Sequence, residues 1–219
     1  AVVLATGGGD AFCTGTSTAT QIVTQFNMTG KVAVVTGGDG GLGFPISLAL
    51  SQAGATVVVA SQNLPSCQAT AAKITGLTGN PAKAQLVDLS SFASVRQAAR
   101  DLSATPVDLL VNNAGIAGNP QHLSGDGFDL MFQINFLGPL LLTHLLLPSL
   151  RAAKGRVVNV ASSEHEIACQ AAGWDDMPIE YFKDSETLKR EIFELVQQMW
   201  ETEEIPEEIV RGVFVPIYK

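Results

Sequence analysis

The stretch KVAVVT-GGDGGLG-FPISLALSQAG, residues 31–54, carries three structural signals in a row. Lys31 to Thr36 is a short β-branched run, the pattern of a strand buried on both faces. Phe44 to Ala53 has the spacing of an amphipathic helix, and Gly54 is placed to stop it. Between them lies a glycine-rich turn. Glycines let the backbone come close to a phosphate, and a helix N-terminus adds unpaired N–H donors and a partial positive charge. A strand, such a turn and a helix in this order make Gly37, Gly38, Asp39, Gly41, Leu42 and Gly43 candidates for a phosphate cradle.

Working outward, the same alternation continues. Strands are predicted at Ala55–Ala60, Lys83–Val87, Val107–Val111 and Gly155–Val160. Helices are predicted near Pro65–Thr75, over Ser91–Leu102 and over roughly Gly127–Leu150. A short helix is expected near Ala19–Gln25. Strands alternating with helices imply right-handed crossovers and a parallel sheet covered on both faces. The predicted fold is therefore α/β, a doubly wound parallel sheet. After Ser163 the alternation ends, and Ser185–Thr202 reads as an acidic amphipathic helix with Leu188, Ile192, Leu195, Val196 and Met199 on one face.

Composition narrows the function classes. The 219 residues are 46% hydrophobic, enough for a real core, and the net charge of −8 argues against nucleic-acid partners. The charge is uneven. Residues 170–219 hold 12 of the 21 acidic side chains but 5 of the 13 basic ones, and both Tyr and both Trp also lie there. Cys13, Cys67 and Cys169 have no paired spacing, so neither a disulfide framework nor a metal site is expected. No charged segment leading into an apolar run opens the chain, and no signal peptide is predicted. The most apolar stretch, Phe136–Leu150, is short for a bilayer and contains Gly138, Pro139, His144 and Pro148, so it is read as a buried helix. A cytoplasmic protein with no integral membrane segment is the expectation.

The spacing Thr36-Gly37-x-x-x-Gly41-x-Gly43 is joined by Asn112-Asn113-Ala114-Gly115 after the fourth strand. Asp88-Leu89 ends the third strand, Asn135 lies in the stretch INFLG (134–138), and RVVNVASS (156–163) forms the fifth strand and its end. In this order the motifs resemble the short-chain dehydrogenase/reductase family over about residues 17–168. Within it, MTGKV (28–32), DLSS (88–91) and SSEH (162–165) are similar to the retinol-dehydrogenase-like and WW-domain-containing oxidoreductase group. The resemblance implies a Rossmann-like, NAD(P)-binding domain over 31–168 that follows a flexible arm at 1–30. It implies hydride transfer between a nicotinamide and a small carbonyl or alcohol substrate, retinoid- or steroid-like. Asp88 and Leu89 would read the adenine, and Asn113, Ala114 and Gly115 would line the cofactor. Ser162 and Asn135 would be catalytic, Ser162 positioning the substrate oxygen. The end of the second strand reads Ala60-Ser61-Gln62-Asn63, without the acid that holds a ribose 2′-hydroxyl, which leans the cofactor to NADP, with NAD as the alternative. A homo-oligomer is left open.

The family's Tyr-x-x-x-Lys pair has no counterpart in this sequence. Four residues after Tyr181 stands Ser185, and only Lys219 follows Tyr218. A phenol near its ordinary pKa of about 10 is a poor base at neutral pH. Little or no turnover is therefore expected, with a catalytically inactive nucleotide-binding or interaction fragment as the alternative. Residues 172–219, with Trp174-Asp175-Asp176 and Trp200-Glu201, instead resemble the segment leading into the reverse-transcriptase domain of non-LTR retrotransposons. The expected architecture is a C-terminally truncated sheet followed by an unrelated acidic helical tail over 169–219, joined near Ala171.

Overall fold

A computed structural model describes residues 22–23, 25–117, 122–161 and 215–216. The chain divides into two compact units, 1–160 with 213–215, and 161–212 with 216–219. The predicted acidic helix at 185–202 and the join near Ala171 lie outside the described residues.

The elements of the first unit follow the predicted alternation: β1 (Val32–Thr36), α1 (Gly43–Gln52), β2 (Thr56–Ser61), α2 (Leu64–Thr78), β3 (Ala82–Leu86) and α3 (Phe92–Leu102). They continue with β4 (Leu109–Asn112), the long helix α4 (Leu130–Ala153) and β5 (Arg156–Ala161). Strand order is β3-β2-β1-β4-β5, and Val215–Pro216 forms a two-residue strand, β6, beyond β5. Every register from β3 to β5 is parallel, with Thr36 opposite Ala60 and Asn112 opposite Asn159. The order reverses between β1 and β4, the switch point where open α/β sheets bind ligands.

Alternate residues of each strand face opposite sides, and each side meets its own helices. Val34, Val58, Leu110 and Val157 pack with Val95 of α3 and with Leu142, Leu146 and Leu150 of α4. Ala33, Val35, Val57, Val59, Val111 and Val158 pack with Ile46 and Leu50 of α1 and with Cys67, Ala71 and Ile74 of α2. The sheet is thus covered on both faces, as its unbroken β-branched runs require. By length and composition α4 is long and apolar enough to cross a bilayer. Its buried face, Leu142, Thr143, Leu146 and Leu150, lies against the sheet.

Three local details depart from the predicted bounds. α4 starts at Leu130, not Gly127, because the Asp129 carboxylate accepts from Phe132 N–H at 2.8 Å and caps it, while Gly127 at φ +86° turns the loop before it. The helix runs on to Ala153 and stops at Lys154, a left-handed residue at φ +51°. The packed chain also begins before Lys31. Ile22 and Val23 are buried, Val23 lies against Ala49 and Ala53 of α1, and Met28 N–H donates to Ala53 O at 2.7 Å.

Leu146 touches no solvent and lies between α4 and the sheet. Leu146→Ala is expected to cost about 2–5 kcal/mol of stability. Urea unfolding should show this as a lower midpoint at unchanged slope.

Candidate functional site

The carboxyl ends of β1 and β4 meet through one hydroxyl. Thr36 Oγ1 accepts from the backbone N–H groups of Asn113 (3.0 Å) and Ala114 (3.1 Å) and donates to Val111 O (3.4 Å). The Asn113 side chain returns the contact, donating from Nδ2 to Thr36 O (3.0 Å) and Gly37 O (3.4 Å). Gly37 N–H, at the same spot, donates to Ala60 O of β2 at 2.7 Å. The first residue of the glycine turn is therefore held from both neighbouring strands.

The glycines of the turn do different work. Gly37 has φ +61°, and a Cβ there would stand 3.1 Å from Ala114 Cα. A Cβ on Gly43 would lie 1.9 Å from Gly37 O, so α1 can start this close to β1 only with glycine at that place. One on Gly38 would be 2.9 Å from Ser47 Oγ. Gly40 and Gly41 face open space, with nothing within 4 Å. Gly37, Gly38 and Gly43 thus draw the protein together, and Gly40 and Gly41 leave the outer surface of the turn clear.

The start of α1 suits an anion. The Asn63 side chain caps α2 by accepting from Ser66 N–H at 3.1 Å, and Ser91 caps α3 by accepting from Ser94 N–H at 3.4 Å. Leu42, the apolar N-cap of α1, offers no side-chain acceptor; Phe44 N–H is taken by Gly40 O at 3.2 Å and Pro45 has none, so among the first three helical residues Gly43 N–H is left for an outside acceptor. Orphan N–H groups at a helix start carry partial positive charge, and a phosphate satisfies them. The turn and the open helix start fit the pyrophosphate of a dinucleotide.

The other predicted residues follow β3, β4 and β5 or lie on α4. Asp88 follows β3, and its Oδ1 accepts from Ser90 N–H (2.9 Å) and Ser90 Oγ (2.6 Å). Leu89 is buried, with its carbonyl 2.7 Å from where a Cβ on Gly138 would lie, so α4 passes close to it. Asn135 sits in a π-turn of α4, Gln133–Leu137. Its Oδ1 accepts from Ile116 N–H and its Nδ2 donates to Ile116 O, both at 2.9 Å. The amide is engaged on the loop after β4, which makes Asn135 a positioning residue for that loop. Gly115 lies beside it, a Cβ there falling 3.3 Å from Asn135 Oδ1. Ser162, which follows the last residue of β5, lies outside the described residues.

Two polar groupings have no signal in the sequence. Asn112 Nδ2 donates to Thr143 Oγ1 (3.1 Å) and Asn159 Oδ1 (2.8 Å), tying β4 to α4 and β5, while its buried Oδ1 has no partner. Gln133, fully buried, donates to Asp126 Oδ2 at 2.6 Å, and the same oxygen accepts from Phe92 N–H at 2.7 Å. At the end of β2, Ser61 Oγ lies 3.1 Å from Cys67 Sγ. Burial pushes the Cys67 thiol above its ordinary pKa, the Ser61 hydrogen bond opposes that, and the negative charge of Asp39 adds to it. Among the described residues no group of His, Cys, Asp or Glu could hold a metal ion.

The doubly wound sheet with a glycine turn at its switch point is a Rossmann-like fold, and comparison with known proteins gives its kind. A family model described as short chain dehydrogenase matches residues 31–172. The chain belongs to this family of oxidoreductases. Retinol dehydrogenase 13 of Mus musculus is 39% identical over 140 residues, 62% of this chain and 42% of that protein. Polyprenol dehydrogenase of Mus musculus is 43% identical over 146 residues, 63% of this chain and 44% of that protein. The chain spans less than half the length of either relative. Among solved structures, the Pseudomonas aeruginosa RhlG/NADP active-site complex superposes with a TM-score of 0.54 at 33% identity, over 63% of this chain and 56% of that one. A metagenomic short-chain oxidoreductase in complex with NADP gives 0.55 at 33% identity, over 62% and 63%.

Thr36→Val keeps the shape of the side chain and leaves the Asn113 and Ala114 N–H groups without their acceptor. A loss of about 1–3 kcal/mol is expected. Thr36→Ser should restore most of it, as chemical denaturation of the three proteins would show.

Proposed function

We propose that the chain binds a nicotinamide dinucleotide across the switch point, with Gly37–Gly43 and the uncapped start of α1 on the pyrophosphate. The observation that carries this reading is the glycine turn, clamped by Thr36 and Asn113 on one side and open at Gly40 and Gly41 on the other. Asp88 and Leu89 then border the adenine, and Asn113, Ala114 and Gly115 the inner half of the cofactor. The absence of an acid at the end of β2, together with the NADP held by both structural neighbours, favours NADP. The negative charge of Asp39 weighs the other way.

When bound, the dinucleotide exchanges a hydride with a carbonyl or alcohol carbon. The relatives named for retinol and polyprenol support an apolar alcohol or aldehyde as the substrate class. Asn135 holds the Ile116 loop in place, and Ser162, at the end of β5, is assigned to position the substrate oxygen. Proton transfer is the weak step. The sequence offers no Tyr-x-x-x-Lys pair, and Tyr181 has no lysine four residues on to lower its pKa. The proposed behaviour is therefore tight dinucleotide binding with little turnover.

Ligand that binds only the native state raises the unfolding midpoint, by about 2.7 kcal/mol at a concentration of 100 Kd. Thermal unfolding with NADH and with NADPH is expected to show that rise for at least one of them. Gly41→Ala, at φ +45°, should lower the ligand-free midpoint by backbone strain, and its methyl, which meets no protein atom but crowds the phosphate side, should also abolish the rise. No shift with either nucleotide would refute the reading. Oxidation of NADPH or NADH in the presence of retinal or simple ketones is expected to stay near background. Clear turnover, abolished by Ser162→Ala, would show that another base serves.

A further inference from the structure

In open sheets of this kind the end of β2 meets the adenosine ribose, and the group found there decides between a 2′-hydroxyl and a 2′-phosphate. In this chain no charged residue occurs from Ala55 to Ala72, so β2 and the first half of α2 bring neither the acid nor the base that would make that choice. Two of the polar side chains at the junction are already engaged. Ser61 Oγ bonds with Cys67 Sγ and accepts from Asn63 N–H at 3.2 Å, and Asn63 caps α2. The neighbouring turn does bring a charge. Asp39 is the one charged residue in Gly37–Gly43. It sits half-buried in the turn closed by Gly40 N–H on Gly37 O at 3.5 Å, and the base of that turn is pinned to β2 by Gly37 N–H on Ala60 O. Its field reaches Cys67, in the first turn of α2, where it helps to raise the thiol's pKa. The nearest cation along α2, Lys73, lies over the Phe44 ring at 4.5 Å.

We infer that Asp39 takes the place of the missing acid at the end of β2 and turns the site toward NAD(H), by accepting from the ribose diol and repelling a 2′-phosphate. This rests on the glycine turn being a dinucleotide site. It reverses the lean to NADP that follows from reading β2 alone, because the charge at the ribose comes from the adjacent turn in space and not from the strand.

Dissociation constants for NADH and NADPH, from nucleotide fluorescence on the intact chain at low and at 0.5 M salt, test the inference. NADH is expected to bind about tenfold or more tighter at low salt, since two like charges close together near a protein surface repel each other strongly. Asp39→Asn should narrow that gap, mainly by tightening NADPH. Added salt should narrow it on the unchanged protein, because screening weakens repulsion, and that arm stands even if the variant does not fold. Both nucleotides binding with NADPH equal or tighter, or a gap that neither salt nor Asp39→Asn alters, would overturn the role of Asp39 and leave the dinucleotide site standing. Binding of neither nucleotide would overturn both.

Discussion

The hydroxyl of Thr36 joins parts of the chain that are 77 and 78 residues apart, accepting from two consecutive N–H groups at the end of β4 while its own strand runs into the glycine turn. Parallel strands leave their last backbone groups unpaired at the carboxyl edge of a sheet. At a switch point the helices also diverge, so little else covers those groups. Thr36 and Asn113 close that gap reciprocally, side chain to backbone in both directions. Once they have done so, the path of Gly37 is set, and Gly43 can bring α1 down onto it at a distance that excludes any Cβ. The cradle is in this sense a consequence of how the two central strands end.

The parts of the fold that follow from local pattern were legible in the sequence. The β-branched runs of β1, β2 and β5, the apolar run of β4 and the apolar spacing of the helices predict the alternation. The glycine turn falls where a strand meets a helix. Bounds were less legible where one side chain decides them, as with Asp129 at the start of α4, or where the chain can run on past its apolar stripe, as at Ala153. The packing of Val23 on α1 was hidden because two or three apolar residues in a polar segment have no periodicity to read.

In the site, residue types could be picked out along the sequence, but their partners could not. Asn135 stands out by its motif, yet its hold on Ile116 is a contact across 19 residues that only the folded loop creates. Asn112 is the first of an Asn-Asn pair, and its link to Asn159 depends on β4 and β5 lying in register. The influence of Asp39 on the end of β2 has the same origin. Adjacent strands set two turns side by side that are more than 20 positions apart in the sequence. A reading of β2 by itself, with no acid and no base, misses a charge brought in by the neighbouring strand.

The central position of β1 also bears on how the protein is made. Of the described strands it leaves the ribosome first, and its β4-side partner is more than 70 residues behind it. At roughly 5–20 residues per second that delay is on the order of 4–15 s. During it the nascent chain can pair β1 with β2 and β2 with β3, but one edge of β1 stays bare and Thr36 has nothing to hold. The glycine cradle is thus completed late, although its glycines are translated more than 70 residues ahead of Asn113. Until Asn113 has emerged, the valines of β1 present an unpaired strand edge, the kind of surface on which other chains can pair.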